Sequence, residues 1–146
     1  MRKTLLASIG TLAFAPAATA APPLVPLSVQ KAVRAQAKSL AYVPTRAPRK
    51  YAYVSYGWSG KDLVIRLADK RFPLDGMHTI LFTVEHALGL CSEGKIKTMQ
   101  LDGNRVFWDG TEAWRCIRGA RVSASGLNLP DSALGRVVAS AKSLNK

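Results

Sequence analysis

Apolar and polar positions along this chain change period several times, and each change predicts a different element. From Val29, apolar residues recur at Val33, Ala37, Leu40 and Ala41 while Lys31, Arg34 and Lys38 fall elsewhere, the spacing of a helix with one buried stripe. Ser28 is placed to cap that helix and Pro44 to stop it. Residues 21–27, with three prolines, predict an extended lead-in, and Tyr42 to Lys50, with Pro44 and Pro48, an ordered crossing loop. Tyr51 to Trp58 and the alternating Leu63, Ile65 and Leu67 predict a hairpin about Ser59-Gly60. A turn at Asp75-Gly76 precedes a compact apolar strand, Thr79 to Val84, and Gly89 to Gly94 is a loop carrying Cys91. Ile96 to Leu101 and Arg105 to Trp108 make a second hairpin about Asp102-Gly103-Asn104. Ala113 to Ala124 then reads as one long final strand, whose alternation puts Trp114, Cys116, Ala120 and Val122 on the inner face and Arg115 and Arg121 on the outer. Leu134, Val137, Val138, Ala141 and Leu144 predict a second amphipathic helix, with Asn128 or Asp131 near its start and Lys142 and Lys146 near its end, as the helix dipole favours.

Helix, about six strands, helix is the order of an α+β domain: a single antiparallel sheet with an N-terminal and a C-terminal amphipathic helix packed on it, spanning residues 28–146. This order resembles that of the PsbP-like proteins, small exported α+β domains in which a terminal helix of the Leu134 to Leu144 kind covers an antiparallel sheet. It also resembles, second, a cystatin-like sheet wrapping the first helix. The resemblance implies architecture alone, because such folds host many roles.

The first twenty residues change the picture by naming a compartment. Arg2 and Lys3, the apolar stretch Leu5 to Phe14 and the small residues Ala18-Thr19-Ala20 predict a secretory signal peptide over residues 1–20, with the mature chain starting at Ala21. Ser8, Gly10, Thr11 and Pro16 interrupt the apolar stretch, and nothing later approaches the roughly 18 uninterrupted apolar residues of a spanning helix. The expected location is therefore the extracellular, periplasmic or cell-envelope space. Two cysteines in an exported chain predict a bridge, Cys91 to Cys116, and their wide spacing is unlike a redox-active Cys-x-x-Cys pair.

Charge narrows the partner class. The chain carries net +12, or +10 once Arg2 and Lys3 are removed. The excess is concentrated: Lys31, Arg34, Lys38, Arg46, Arg49 and Lys50 occur between residues 21 and 50 without an acid, and Arg115, Arg118 and Arg121 form a second run. Such asymmetry points to an anionic partner. The candidate anion-binding set is Lys31, Arg34, Lys38, Arg46, Arg49, Lys50, Arg115 and Arg121.

Signals for chemistry are sparse. His78 and His86, with Glu85, lack a well-placed third ligand for a metal. Ser55 in Tyr53-Val54-Ser55-Tyr56-Gly57 lacks the first glycine of a nucleophile elbow and reads as mid-strand. Asp102, Asp109 and Glu112 flank turns, where Asp-Gly is turn chemistry. Tyr42, Tyr51, Tyr53, Tyr56 and Trp58 beside Arg46, Arg49 and Lys50 could stack on bases or sugars, but their alternation favours packing beneath a helix. Trp108 and Trp114 suggest a cross-strand pair. With no cofactor or nucleotide motif, the expectation is a non-enzymatic exported domain binding an acidic wall polymer, an anionic lipid headgroup or an acidic protein. An exported enzyme and an extracellular nucleic-acid binder are the alternatives.

Overall fold

The computed structural model describes residues 21–71, 78–89, 91 and 96–145. The predicted signal peptide and the Asp75-Gly76 turn lie outside the described residues. Helix α1 (Leu27–Ala37) and a 3₁₀ turn (Lys38–Leu40) lead into strand β1 (Tyr42–Val43). Seven strands follow: β2 (Tyr53–Ser59), β3 (Asp62–Ala68), β4 (Thr79–His86), β5 (Lys97–Leu101), β6 (Asn104–Trp108), β7 (Glu112–Ile117) and β8 (Ala120–Gly126). Helix α2 (Asp131–Ala139) and strand β9 (Lys142–Ser143) complete the chain.

The fold is α+β, mostly sheet, but not the single six-stranded sheet expected. Strands β2 to β8 form one seven-stranded antiparallel sheet in the order β2-β3-β4-β8-β7-β6-β5, and β1 pairs with β9 in a separate two-stranded sheet. Two corrections explain the difference. First, the long strand expected over Ala113 to Ala124 is a hairpin, β7 and β8, turning at Arg118 and Gly119 with φ of 48° and 82°. Two successive positive φ values are the signature of the tight turn that suits strand twist, normally written Asn-Gly or Asp-Gly. Here Arg takes the first place, which hid the turn. Second, the apolar spacing after Leu134 overran the helix. α2 stops at Ala139, and Lys142 and Ser143 pair instead with Val43 and Tyr42, so the first part of the expected crossing loop is β1. α1 likewise begins at Leu27 rather than after Ser28, with Pro26 before it, and ends seven residues before Pro44.

One face of the large sheet is apolar. Leu63, Ile65 and Leu67 of β3 stand opposite Val84, Phe82 and Ile80 of β4, and Val122 and Ala124 of β8 continue the layer, all inaccessible to solvent. Val33 and Ala37 of α1 and Leu134, Val137 and Val138 of α2 join the same buried cluster. α2 lies across β5 to β8. It packs tightly at Gly135, where a Cβ would fall 2.5 Å from Leu101 Cδ1 and 3.0 Å from Met99 Cε. The sheet thus takes its main cover from the second helix, not from the wrapped first helix of the cystatin-like alternative.

The β7–β8 turn also reverses a face. Opposed residues of an antiparallel pair share a side, so Arg115, opposite Val122, lies on the helix side, and Cys116, opposite Arg121, lies on the outer side with Trp114. The Cys91 and Cys116 sulfurs meet at disulfide distance, with Cα atoms 5.9 Å apart. The bridge therefore ties the β4–β5 connection to the outer face, not to the inner face as the unbroken strand implied. That connection carries the chain from mid-sheet to the far edge. Cross-linking a loop of this length stabilises by about 3 kcal/mol. The double variant Cys91→Ser/Cys116→Ser should lose about that much in denaturant melts, with the native circular dichroism spectrum kept.

Candidate anion-binding groove

Helix α1 buries Val33 and Ala37, so the residues spaced four and seven after Leu27 flank the core. Leu27, Lys31 and Arg34 make that flank, and Gln30 beside them donates through Nε2 to the Val25 carbonyl at 2.8 Å. The facing wall is β9 and Leu144 after it. β9 is held against β1, and the Leu144 amide donates to the Ala41 carbonyl at 2.8 Å, which seats Lys142, Ser143 and Leu144 across from the helix. Between the walls runs a groove of about 290 Å³, lined by these seven residues. Three carry cations, none carries a carboxylate, and Leu27 and Leu144 give it an apolar margin.

Of the eight cations expected to bind anions, Lys31 and Arg34 line the groove. Lys38 stands exposed at the C-terminal end of α1, its carbonyl accepting from Ala41 and from the Asn145 side chain. Arg49 is exposed in the crossing segment. Two others face acids: Arg46 pairs with Asp102 at 3.6 Å, and Lys50 lies 4.0 Å from Asp69 and 5.5 Å from the Tyr51 ring centroid.

Arg115 and Arg121 do not form the shared outer face expected of them, because the β7–β8 turn puts them on opposite sides of the sheet. Arg115 reaches under the C-terminal end of α2. Its guanidinium donates to Asn104 Oδ1 and, at 3.0 Å, to the Ala141 carbonyl, while the Asn104 amide donates to the Ala139 carbonyl at 3.3 Å. A cation there complements the helix dipole. Burial lowers its pKa from the ordinary guanidinium value, with Tyr42 opposing. Arg121 spans Glu85, at 2.7 Å, and Glu112, and its guanidinium lies 4.9 Å from the Trp114 ring centroid. Burial works against its charge, but the two glutamates outweigh it and hold the pKa above the ordinary value. Arg121 is matched by two acids, whereas Arg115 is held by the neutral oxygens of Asn104 and Ala141, its buried Nε without a partner among the described residues.

Lys142 was missed. It read as a cation closing a helix, and only the β1–β9 pairing turns it toward α1. The aromatic cluster is divided: Tyr42 and Tyr51 are buried, whereas Tyr53 and Trp58 are 49% and 42% exposed on opposite faces of β2. Trp114 pairs across strands with Phe107, ring centroids 5.9 Å apart, rather than with Trp108, which stands opposite Ala113. His78 Nδ1 lies 2.8 and 2.9 Å from the Asp69 oxygens, a contact between strand ends that local spacing did not reveal. His86 is exposed at the end of β4, and no group of three His, Cys, Asp or Glu residues close enough to hold a metal occurs among the described residues.

No family model matches the chain. No curated protein and no solved structure matches it either. The groove must therefore be read from its own chemistry.

The two classes of cation make a clear expectation. Arg115→Ala leaves the Asn104 and Ala141 oxygens without their donor and should cost about 2 kcal/mol in denaturant melts. Arg34→Ala should leave stability within about 0.5 kcal/mol, as surface substitutions do.

Acid stability follows from two aspartates. Lys97 and the Ser132 amide hold the Asp131 carboxyl below its ordinary value. At Asp109 burial opposes ionisation, but the Glu112 and Thr111 amides and the Thr111 hydroxyl outweigh it. Both folded values lie below the unfolded ones. Their contribution is therefore complete above about pH 4 and lost as pH falls through the folded values. Burial and the nearby Asp69 charge raise the Tyr51 pKa, so its contribution is lost as pH rises past about 10. Denaturant melts across this range should show a neutral plateau falling at both ends.

Proposed function

We propose that this protein is a non-catalytic, exported binding domain whose α1–β9 groove engages anionic groups of the cell envelope. The observation that carries this reading is the groove itself: Lys31, Arg34 and Lys142 converge on one concavity without a carboxylate among its lining residues. A cation matched by an acid attracts an anionic ligand less, because the carboxylate offsets its field. Arg46 and Lys50 are in that position and contribute little. At about 290 Å³ the groove sits at the small end of ligand sites, which suits a single phosphate or carboxylate group with an apolar neighbour.

An exported location fits the reading. No helix among the described residues is long and apolar enough to cross a membrane, and a cysteine pair at disulfide distance is compatible with an oxidising compartment. Cleavage after Ala20 would release the chain there. The intact mass of protein recovered outside the cytoplasm should begin at Ala21; a mass retaining residues 1–20 counts against export by cleavage.

Vesicles containing anionic lipid and purified anionic wall polymer are the probes of the groove. Binding should weaken steeply between low and physiological salt. The triple reversal Lys31→Glu/Arg34→Glu/Lys142→Glu should abolish it with an unchanged melting curve, whereas Arg46→Glu/Lys50→Glu should change it less. Equal binding by the wild type and the triple variant would overturn the assignment.

A further inference from the structure

We propose that two copies of this chain associate by antiparallel pairing of their β2 strands, extending the seven-stranded sheet across a two-fold axis centred on Tyr56. Among the described residues the sheet has two open edges, β2 and β5. Edge strands present unpaired amides and carbonyls, and monomeric proteins blunt them with charge, proline or brevity. β5 is five residues long and carries Lys97, paired at 3.1 Å with Asp131. β2 has none of these devices. It runs seven residues, Tyr-Val-Ser-Tyr-Gly-Trp-Ser, with no charge and no proline, and among the described residues no backbone group outside β3 pairs with it.

The sequence of β2 fits a second copy of itself. Centred on Tyr56, an antiparallel register sets Val54 opposite Trp58 of the second copy and Tyr56 opposite Tyr56 on the helix side of the sheet. On the outer side it sets Tyr53 opposite Ser59 and Ser55 opposite Gly57. Aromatic–aromatic and aromatic–branched pairs are the favourable cross-strand combinations. In a chain of net charge +12, two copies also meet at least electrostatic cost along a strand that brings no cation. The self-complementary register selects a copy of this chain over a strand of unrelated sequence, and the absence of charge on β2 keeps the repulsion between two basic copies smallest there. A ladder of about 24 Å is small beside standard interfaces, so the association belongs to the weak, reversible class. Each dimer carries two α1–β9 grooves, and the pairing does not depend on what those grooves bind.

Sedimentation of the mature protein without any anionic ligand, from about 10 µM to about 1 mM, should show a monomer–dimer equilibrium. Ser55→Lys/Gly57→Lys places a lysine opposite a lysine twice across the axis and should remain monomeric throughout. Gly57 tolerates the change, since a Cβ there meets nothing within 4 Å. Ser55→Lys/Gly57→Glu places opposite charges in the same positions and should restore the dimer. Hydrogen exchange on the wild type reads the same event without a variant: β2 amides should slow on concentration while β5 amides do not. A wild type that stays monomeric, a lysine–lysine variant that dimerises as well as wild type, a lysine–glutamate variant that does not recover, or β2 exchange independent of concentration would each overturn the proposal.

Discussion

A two-residue turn governs the sidedness of this protein. Arg118 and Gly119, both at positive φ, fold what alternation presents as one strand into β7 and β8. Every side chain from Glu112 to Ile117 then takes the opposite side from the one a continuous strand would give it. Arg115 goes beneath α2, while Trp114, Cys116 and Glu112 go to the outer face with Arg121. The clamp on the second helix, the disulfide to the crossing connection and the Glu85–Arg121–Glu112 bridge all follow from that parity.

The helix side is finished by close approach and by polar capping. Glycine within a helix costs about 1 kcal/mol relative to alanine, yet α2 carries Gly135 where Met99, Leu101 and Val106 press against it. At the other end of α2 the chain is secured by polar groups. The Ser140 hydroxyl accepts from the Thr45 and Arg46 amides at 3.1 Å, and Asn104 and Arg115 reach the last carbonyls. These contacts pin residues 45 and 46 to the helix end. β1 and β9 pair just beside them, and β9 becomes the second wall of the groove. The groove is thus a by-product of how the α1–β1 segment is tied to the α2–β9 segment.

Charge divides along the same line. The excess of basic residues looks like one reservoir in the sequence, but the fold spends Arg115 on Asn104 and the Ala141 carbonyl just past α2 and Arg121 on two glutamates, and sets Arg46 and Lys50 against acids. Lys31, Arg34 and Lys142 keep their fields directed into a concavity without opposing charge. Net charge describes attraction to anions at a distance, whereas the local match of cation to acid decides where an anion rests.

The sequence by itself determined the α+β class, both helices, the β2–β3 and β5–β6 hairpins and the bridging of Cys91 with Cys116. These rest on local information: periodicity, the Asp-Gly turn of β5–β6, the glycine of the β2–β3 turn, which falls at Gly60-Lys61 rather than Ser59-Gly60, and the parity of two cysteines. Of the candidate site, Lys31 and Arg34 were legible because α1's buried stripe places them off the core. The tertiary structure alone decided that Lys142 joins them, that Arg115 and Arg121 part company, and that Asp69 meets His78. The first depends on residues far apart, the second on a turn that lacks its usual residue, and the third on the register in which β3 meets β4. Alternation specifies two sides but does not say where the chain reverses, and a single unmarked reversal exchanges the sides for everything before it.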